Sequence, residues 1–350
     1  MNRFFRMSLI CLALLLAFSV YASPIARAEE VPTSYKDALE YAREKQPMFL
    51  DLGKVKLKME QLLKIRSALP ENAEIKFSVK WQGLTITNED TELDLTKIKR
   101  NLTVAEIENL ISLCPNVKTI DNSTHKEPSN DDMLMLIEKY PDIHFEWVIH
   151  LGKGKKDYFC ATNSTAWTTA NKNSAPHKLT GEDLELLQYV PGLKAIDIGH
   201  NIVTSLDFLR FFPDLELLII GGNPDLADLT PVGQLTHLKY LEVFDCLVED
   251  LSPLANCKEL LDLNVTNTKV TDLTPLDEIT TLERFWCNQN KQVTEEQREH
   301  FTQAHPDCKA VFDGRHATSD NWRKHERYTH YRKCFKNKQW IPFSEMAAGK

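Results

Sequence analysis

Residues 193–290 decide the fold, because five nine-residue segments repeat one apolar pattern along them. The segments are LKAIDIGHN (193–201), LELLIIGGN (215–223), LKYLEVFDC (238–246), LLDLNVTNT (260–268) and LERFWCNQN (282–290). Their leading leucines recur about every 22 residues. A second motif, Asp-Leu-Ser/Thr-Pro-Val/Leu, begins at Asp228, Asp250 and Asp272 and repeats with that same spacing. A unit this short buries only part of a face, so neighbouring units must stack to form a core.

The pattern LxxLxLxxN with a period near 22 resembles the leucine-rich repeats of bacterial internalins. The resemblance implies an α/β leucine-rich repeat solenoid with a parallel sheet on its concave face, and it implies partner binding without naming a ligand. Through strings such as Trp322–Tyr328, the chain is also similar to exported repeat proteins of clostridia-like bacteria, for which no activity is implied. The asparagine position holds Cys246 and Thr268 in two units, and both can still serve the loop backbone.

The units before residue 193 are longer and contain helices. We predict helices at 55–69, 104–113, 130–140 and 180–189, each preceded by a strand-like segment or closed by a proline. Proline cannot continue a helix and favours extended geometry in the residue before it, so it makes a helix-to-strand corner. The shorter period after residue 193 leaves room only for a turn or a short 3₁₀ segment.

These patterns divide the chain into five parts. They are a signal peptide (1–28), irregular helix-containing repeats (29–192), the leucine-rich repeats (193–290), a C-terminal cap with a helix and a strand (291–312) and a basic aromatic tail (313–350). We predict that residues 45–312 form one solenoid with a single parallel sheet.

Residues 1–28 have the order of a secretory signal. Arg3 and Arg6 precede an apolar run over 7–21, and Ala26-Arg27-Ala28 provides small residues for cleavage near Ala28. We therefore expect a secreted protein, extracellular or at the cell surface, without a stable membrane span after cleavage. The alternative is an uncleaved anchor.

Charge and motifs bound the function. The chain carries a net charge of −8, which becomes −11 without the three arginines of the signal, so nucleic acid is a poor partner. No GxSxG, HExxH or phosphate-loop motif occurs, and we predict a non-enzymatic protein without a cofactor or metal. The pattern lapses between residues 147 and 177, which we interpret as a long loop or irregular repeat. The alternative function is a secreted enzyme with its site in that segment.

The cysteines suggest packing rather than chemistry. Seven remain after the signal, an odd number without CxxC spacing. Cys246, Cys257 and Cys287 fall at positions of the repeat that usually face inward. We interpret them as small buried apolar residues.

The strands of the repeats predict a binding surface. Side chains alternate across a strand, so the residues flanking the two central apolar positions face outward on the concave side. This set is rich in aromatic residues and includes an arginine, as binding hot spots are. We predict a protein or a cell-surface polysaccharide as the partner, and the alternative is that a cap or the tail folds over this face. The candidate ligand-binding residues are Asp197, Leu217, Ile219, Tyr240, Glu242, Phe244, Asp262, Asn264, Arg284, Trp286 and Asn288.

The tail is basic, with eight Lys and Arg between residues 315 and 338. Three interpretations remain open for it. It can cap the last repeat through apolar residues at helical spacing, contact an acidic partner such as an anionic wall polymer, or bind a metal through histidines. The apolar residues are Trp322, Tyr328, Tyr331 and Phe335, and the histidines are His316, His325 and His330.

Overall fold

The computed structural model describes residues 31–152, 158–170 and 178–346. The predicted signal peptide and cleavage site lie outside these residues. The described chain divides into two compact units, of which the first holds residues 31–90 and 109–116 and the second holds 91–108 and 117–346. Within the described ranges, no helix is both long and apolar enough to cross a bilayer.

The first unit begins with alternating helices and strands. Its elements are α1 (Tyr35–Lys45), β1 (Phe49–Asp51), α2 (Met59–Arg66), β2 (Glu74–Lys76), β3 (Ser78–Trp81) and β4 (Leu84–Thr87). Strands β1 and β2 pair in parallel, whereas β3 and β4 form an antiparallel hairpin. The hairpin turns at Gln82 and Gly83, which both have positive φ. The helix predicted at 55–69 is real but shorter at both ends.

The second unit contains a first parallel sheet of three strands. They are β5 (Glu92–Asp94), β6 (Thr119–Asp121) and β7 (His144–Glu146). Helix α3 (Val104–Leu113) has residues in both units, and α4 (Asn130–Lys139) connects β6 to β7. Both helices lie where the proline-closed pattern predicts them.

The segment 147–177 is more regular than the sequence suggests. Its described residues form the antiparallel hairpin of β8 (Val148–Leu151) and β9 (Tyr158–Ala161), followed by β10 (Ala166–Thr168). Of the two interpretations, a long loop or an irregular repeat, the long loop is therefore wrong for these residues. Their hydrophobic side chains are well buried, including Ile149 and Leu151 at 0% exposure, and that burial stabilises the strands despite the polar residues around them.

The leucine-rich repeats continue from β10 as one seven-stranded parallel sheet. The further strands are β11 (Ala195–Asp197), β12 (Leu217–Ile219), β13 (Tyr240–Glu242), β14 (Asp262–Asn264), β15 (Arg284–Trp286) and β16 (Lys309–Val311). Leu218, Leu241, Leu263 and Phe285 lie in register on adjacent strands, each with no exposed surface. This buried ladder confirms the predicted repeat register.

Short 3₁₀ segments return the chain on the side away from the strands, as predicted. They span Asp207–Phe211, Thr230–Gln234, Ser252–Asn256 and Thr274–Leu276. Before them, the helix predicted at 180–189 is only one α-turn, α5 (Gly181–Leu184), extended by 3₁₀ geometry over Glu185–Tyr189.

The asparagine position ties each repeat to its neighbour. Asn223 Oδ1 accepts from Val203 N at 2.9 Å, and its Nδ2 donates to the Ile198 and Ile220 carbonyls at 3.1 and 2.7 Å. Asn290 repeats this arrangement. Thr268 donates through Oγ1 to a backbone carbonyl at 2.9 Å, and Cys246 Sγ lies 3.6 Å from two. The two substitutions therefore serve the loop backbone, as expected.

The C-terminal part has two layers. Helix α6 (Glu295–Ala304), capped by Thr294, and β16 close the end of the sheet as predicted. Beyond them, a 3₁₀ segment (Ser319–Lys324), helix α7 (Glu326–Asn337) and a 3₁₀ turn (Phe343–Glu345) follow. Cys246, Cys257 and Cys287 are free and buried, as predicted, and burial raises the pKa of the Cys257 thiol to about 12.

The prediction of a single parallel sheet over residues 45–312 is wrong. The described strands form three separate parallel sheets, β1–β2, β5–β7 and β10–β16. An antiparallel hairpin follows β2 and another follows β7 along the chain. In each hairpin the strands satisfy each other's backbone groups, so the chain does not add the next strand to the preceding parallel sheet.

Truncating the central residue of the ladder tests the register. Leu241→Ala should lower the free energy of unfolding by about 2–5 kcal/mol, because it removes buried surface and leaves a cavity. Denaturant unfolding followed by circular dichroism measures the change. Leu247→Ala, in the same repeat but 44% exposed, is the matched control. Equal losses in the two variants would contradict the register.

Candidate functional site

The eleven predicted ligand-binding residues lie together on one face of β11–β15 and the turns that follow these strands, but they are buried. None is more than 7% exposed, and Leu217, Tyr240, Asp262, Asn264 and Asn288 have no exposed surface at all. The prediction that this concave face is open to solvent is therefore wrong. Whether any of these residues contacts a ligand stays a prediction.

The chain's own C-terminus covers the face. Residues 314–346, which we call the C-terminal cover, pack on the strands from β15 back to β10. Trp322 lies against Tyr240 and Trp286, with ring centroids 5.6 and 4.9 Å apart, and Tyr331 packs edge-on to Tyr240 at 5.1 Å. Trp322 and Tyr331 are buried with them, and Phe335 extends the same cluster. This second apolar core explains why outward strand positions hold aromatic side chains.

Hydrogen bonds hold both ends of the cover. At its start, Asn264 Nδ2 donates to the Ala317 carbonyl at 2.9 Å, and Trp286 Nε1 donates to the Ser319 carbonyl at 2.8 Å. At its end, Trp340 N donates to Thr165 Oγ1 at 2.6 Å. The side chains of Asn264 and Trp286 are thus satisfied by the backbone of the cover.

A buried ion cluster joins the cover to the sheet. Asp262, fully buried on β14, accepts from Arg284 Nε at 2.7 Å and from Arg327 Nε and Nη2 on α7, also at 2.7 Å. Arg284 also donates to the Trp322 carbonyl at 3.1 Å and lies 4.3 Å from the centroid of that ring. Arg327 also forms an ion pair with Glu283. Removing Asp262 would leave Arg284 buried without a counter-charge.

The tail therefore does not act as a cap on the last repeat alone, because it crosses the whole concave face. The histidines proposed as metal ligands are engaged separately. His316 Nδ1 lies 3.0 Å from Thr318 Oγ1, His325 caps α7, and His330 Nε2 lies 2.7 Å from the Ile341 carbonyl. Within the part of the chain that the structure describes, no group of three or more His, Cys, Asp or Glu side chains is placed to hold a metal ion.

One part of the concave face is not filled by the cover. A chamber of about 230 Å³ lies between the ends of β11–β13 and helix α7. From the sheet side it is lined by Asp197, Ile219, Glu242 and Phe244, together with Gly199 and His200 of the following turn. From the cover it is lined by Arg323, Tyr328, Tyr331 and Arg332. Four of the predicted ligand-binding residues thus meet basic and aromatic residues of the tail.

The two chamber carboxylates are buried without an ion pair among the described residues. Glu242 Oε1 accepts from Tyr240 Oη at 2.5 Å and from Trp322 Nε1 at 3.0 Å. Burial raises the pKa of Glu242, and these hydrogen bonds oppose the shift. Burial likewise raises the pKa of Asp197, against hydrogen bonds from Thr168 Oγ1 and Gly199 N at 2.8 and 3.1 Å.

The close approach of Phe244 to the neighbouring repeat shapes the chamber wall. A Cβ at Gly221 would lie 2.4 Å from the Phe244 ring, so only glycine leaves room for this side chain. Phe244 also packs on the exposed His200, with ring centroids 5.7 Å apart. The repeat pattern alone does not reveal this contact.

Sequence reasoning missed the roles of Trp322 and Arg327. Both lie in the tail whose aromatic residues recur at helical spacing, and the outward strand positions carry unusually large side chains. Together these signals favour an intramolecular contact, which was one of the alternatives. What sequence could not supply is the partner of each residue, since Arg327 and Asp262 lie 65 residues apart.

The stacked parallel strands, the in-register ladder and the asparagine-bound turns define a leucine-rich repeat protein. Solved structures similar to this chain include an internalin C2 and another internalin from Listeria monocytogenes and a leucine-rich repeat protein of Leptospira interrogans. Their identities are 20%, 15% and 17%, and their TM-scores are 0.31, 0.35 and 0.41. The matches cover 42%, 76% and 78% of this chain and 74%, 67% and 74% of those chains.

No family model and no curated protein matches the chain. The fold assignment therefore rests on the register and hydrogen bonds of this chain itself.

Neutralising the shared carboxylate tests whether the cover is an integral part of the fold. Asp262→Asn should lower the free energy of unfolding by about 3 kcal/mol or more, because it leaves Arg284 buried without a counter-charge and Arg327 with only the exposed Glu283. Denaturant unfolding measures the loss, and hydrogen exchange should show faster exchange in α7. Asp225→Asn, at an exposed position, is the control and should resemble wild type. Unchanged exchange in α7 would show that the cluster does not hold the cover.

Proposed function

We propose that this chain is an exported, non-enzymatic binding protein that recognises a protein or a cell-surface polysaccharide at the chamber. The observation that carries the proposal is the chamber itself, where two buried carboxylates without ion pairs among the described residues face a space bordered by two exposed arginines. Convergent polar groups on a pre-formed concavity are typical of a binding site.

The proposal is restricted to four residues of the predicted face. Asp197, Ile219, Glu242 and Phe244 line the chamber, so a ligand can reach them without displacing the cover. The other seven residues pack against the cover or form hydrogen bonds at its contact with the sheet. Truncating them would therefore test stability rather than binding. They are Leu217, Tyr240, Asp262, Asn264, Arg284, Trp286 and Asn288.

The chemistry of the site favours recognition over catalysis. The acidic residues of the sheet recur with the repeat, and Asp262 is already paired with two arginines. The net charge of −8 also argues against nucleic acid as the partner. We therefore propose no cofactor and no reaction for this site.

A capture experiment with a matched control tests the proposed surface. Immobilised wild type and an Arg323→Gln/Arg332→Gln double variant are exposed to cell-surface extracts, and captured protein and polysaccharide are quantified. Recovery should fall about tenfold or more in the double variant, which corresponds to roughly 1.4 kcal/mol of binding free energy. The control is Lys269→Gln/Lys324→Gln, which removes two exposed charges that do not line the chamber. Undiminished capture by the chamber variant would move the binding surface elsewhere.

Export is tested separately. N-terminal sequencing of the protein recovered outside the cell should begin close to Glu29, because Ala26 and Ala28 are the small residues that signal cleavage favours. Recovery of the full-length chain in the membrane fraction would instead support the anchor.

A further inference from the structure

The chamber has a charge arrangement that points to one ligand chemistry. We propose that it binds an α-ammonium carboxylate group, with the ammonium beside Glu242 and Asp197 and the carboxylate toward Arg323 and Arg332. This inference rests on the proposed function for the location of the site, and it adds the chemical class of the ligand. The group can belong to a free amino acid or be carried by a larger partner.

The size of the chamber suits such a group. Its volume of about 230 Å³ is several times the roughly 30 Å³ that one water molecule occupies in the liquid. It is smaller than the about 300–1,000 Å³ of pockets that enclose drug-sized ligands. A group of a few heavy atoms therefore fits, whereas a whole sugar chain or peptide does not.

The two oxygens of Glu242 differ in their contacts. Oε1 receives the hydrogen bonds from Tyr240 and Trp322, and Tyr331 Oη lies 3.4 Å from it. Oε2 accepts no hydrogen bond from any residue in the described ranges, although Glu242 is only 4% exposed and lines the chamber. A carboxylate that is almost entirely buried and has no counter-ion is costly, and an ammonium group supplies both a donor for Oε2 and the opposite charge.

Asp262, the third acidic residue on this face of the sheet, is a buried carboxylate whose charge the chain itself neutralises. Asp262 is buried like Glu242, and the chain provides it with two arginines at 2.7 Å. Asp197 and Glu242 lie on the same face, three strands and one strand away, and have no such partner among the described residues. The fold therefore neutralises one buried acid internally and leaves two facing a space, which indicates that a cation from outside completes them.

The arginines at the mouth set the orientation. Arg332 and His200 act electrostatically on Asp197, and Arg323 acts on Glu242. Both arginines are exposed and form no ion pair with these acids. A planar guanidinium binds a carboxylate well, so a ligand with its ammonium inward can place its carboxylate at the rim.

The proposal also has a pH signature. Burial raises the pKa values of Asp197 and Glu242, so each gains affinity for ammonium only as it loses its proton. Arg323 and Arg332 supply positive charge at the rim, His200 lies beside Asp197, and the Tyr240 and Tyr331 hydroxyls, whose pKa values burial raises, stay neutral. Binding should therefore strengthen as pH rises above the usual range of a carboxyl group, with release of protons.

Titration calorimetry on the full chain tests the ligand class with four probes. Glycine carries both charges, ethylammonium only the positive one, acetate only the negative one, and Nε-acetyllysine presents the same group on a long arm. Wild type should bind glycine saturably and more tightly than ethylammonium, and acetate should not bind. If glycine binds and Nε-acetyllysine does not, the ligand is a free small amino acid. If both bind equally, the group is carried by a larger partner.

Variants separate the two ends of the site. Glu242→Gln should lower the affinity for glycine and for ethylammonium about tenfold or more. Thermal unfolding should show that this variant folds, since the amide oxygen still accepts a hydrogen bond from Trp322. Arg332→Gln should weaken the binding of glycine but not that of ethylammonium. Asp225→Asn should leave the binding of both probes unchanged. Absence of glycine binding in wild type, or equal binding of acetate, would overturn the inference. Capture of a partner that depends on Arg323 and Arg332 would then leave the proposed function standing with a different ligand.

Discussion

The carboxylate of Asp262, shared between Arg284 of the sheet and Arg327 of α7, is the interaction on which the C-terminal architecture depends. A charge buried this deeply must be paired, and one of its partners comes from the same sheet while the other comes from the cover. The acid thus fixes where α7 crosses the strands. Trp322, stacked over Arg284, is then held between the ion cluster and Tyr240. Aromatic packing and charge pairing specify the same docking position.

This docking gives the sheet two buried faces. Toward the 3₁₀ segments lies the ladder of Leu218, Leu241, Leu263 and Phe285, as in any stacked repeat. Toward the cover lies a second cluster around Tyr240, Trp286 and Trp322. A face that repeat proteins can offer to partners is here occupied by the chain itself. The large aromatic side chains that indicate a hot spot also make this intramolecular contact stable.

The binding site that we propose lies where the cover stops filling the face. A space remains between α7 and the ends of β11–β13, and charged side chains of both the sheet and the cover line it. Asp197 and Glu242 keep their raised pKa values because burial removes water without supplying a counter-charge. Burial stabilises the fold elsewhere, but here it leaves two carboxylates without counter-ions. A positively charged ligand can offset that cost.

The sequence by itself determined the repeat register, because one short period shared by two independent motifs admits one alignment of strands. It also determined the inward position of Cys246, Cys257 and Cys287, the 3₁₀ returns and the terminal helix and strand, since these follow from local spacing and capping. It identified the members of the concave face correctly but not their exposure. Strand alternation says to which side Tyr240 or Trp286 points, and it does not say what lies on that side.

Only the tertiary structure decided that the tail covers this face, that Asp262 meets Arg327 and that a chamber remains beside Glu242. The continuous sheet expected from residue 45 also failed at the hairpins, whose self-pairing no repeat period indicates. These features depend on contacts between residues far apart in the chain. Such contacts are selected by shape and charge complementarity in three dimensions, which a one-dimensional periodicity does not contain.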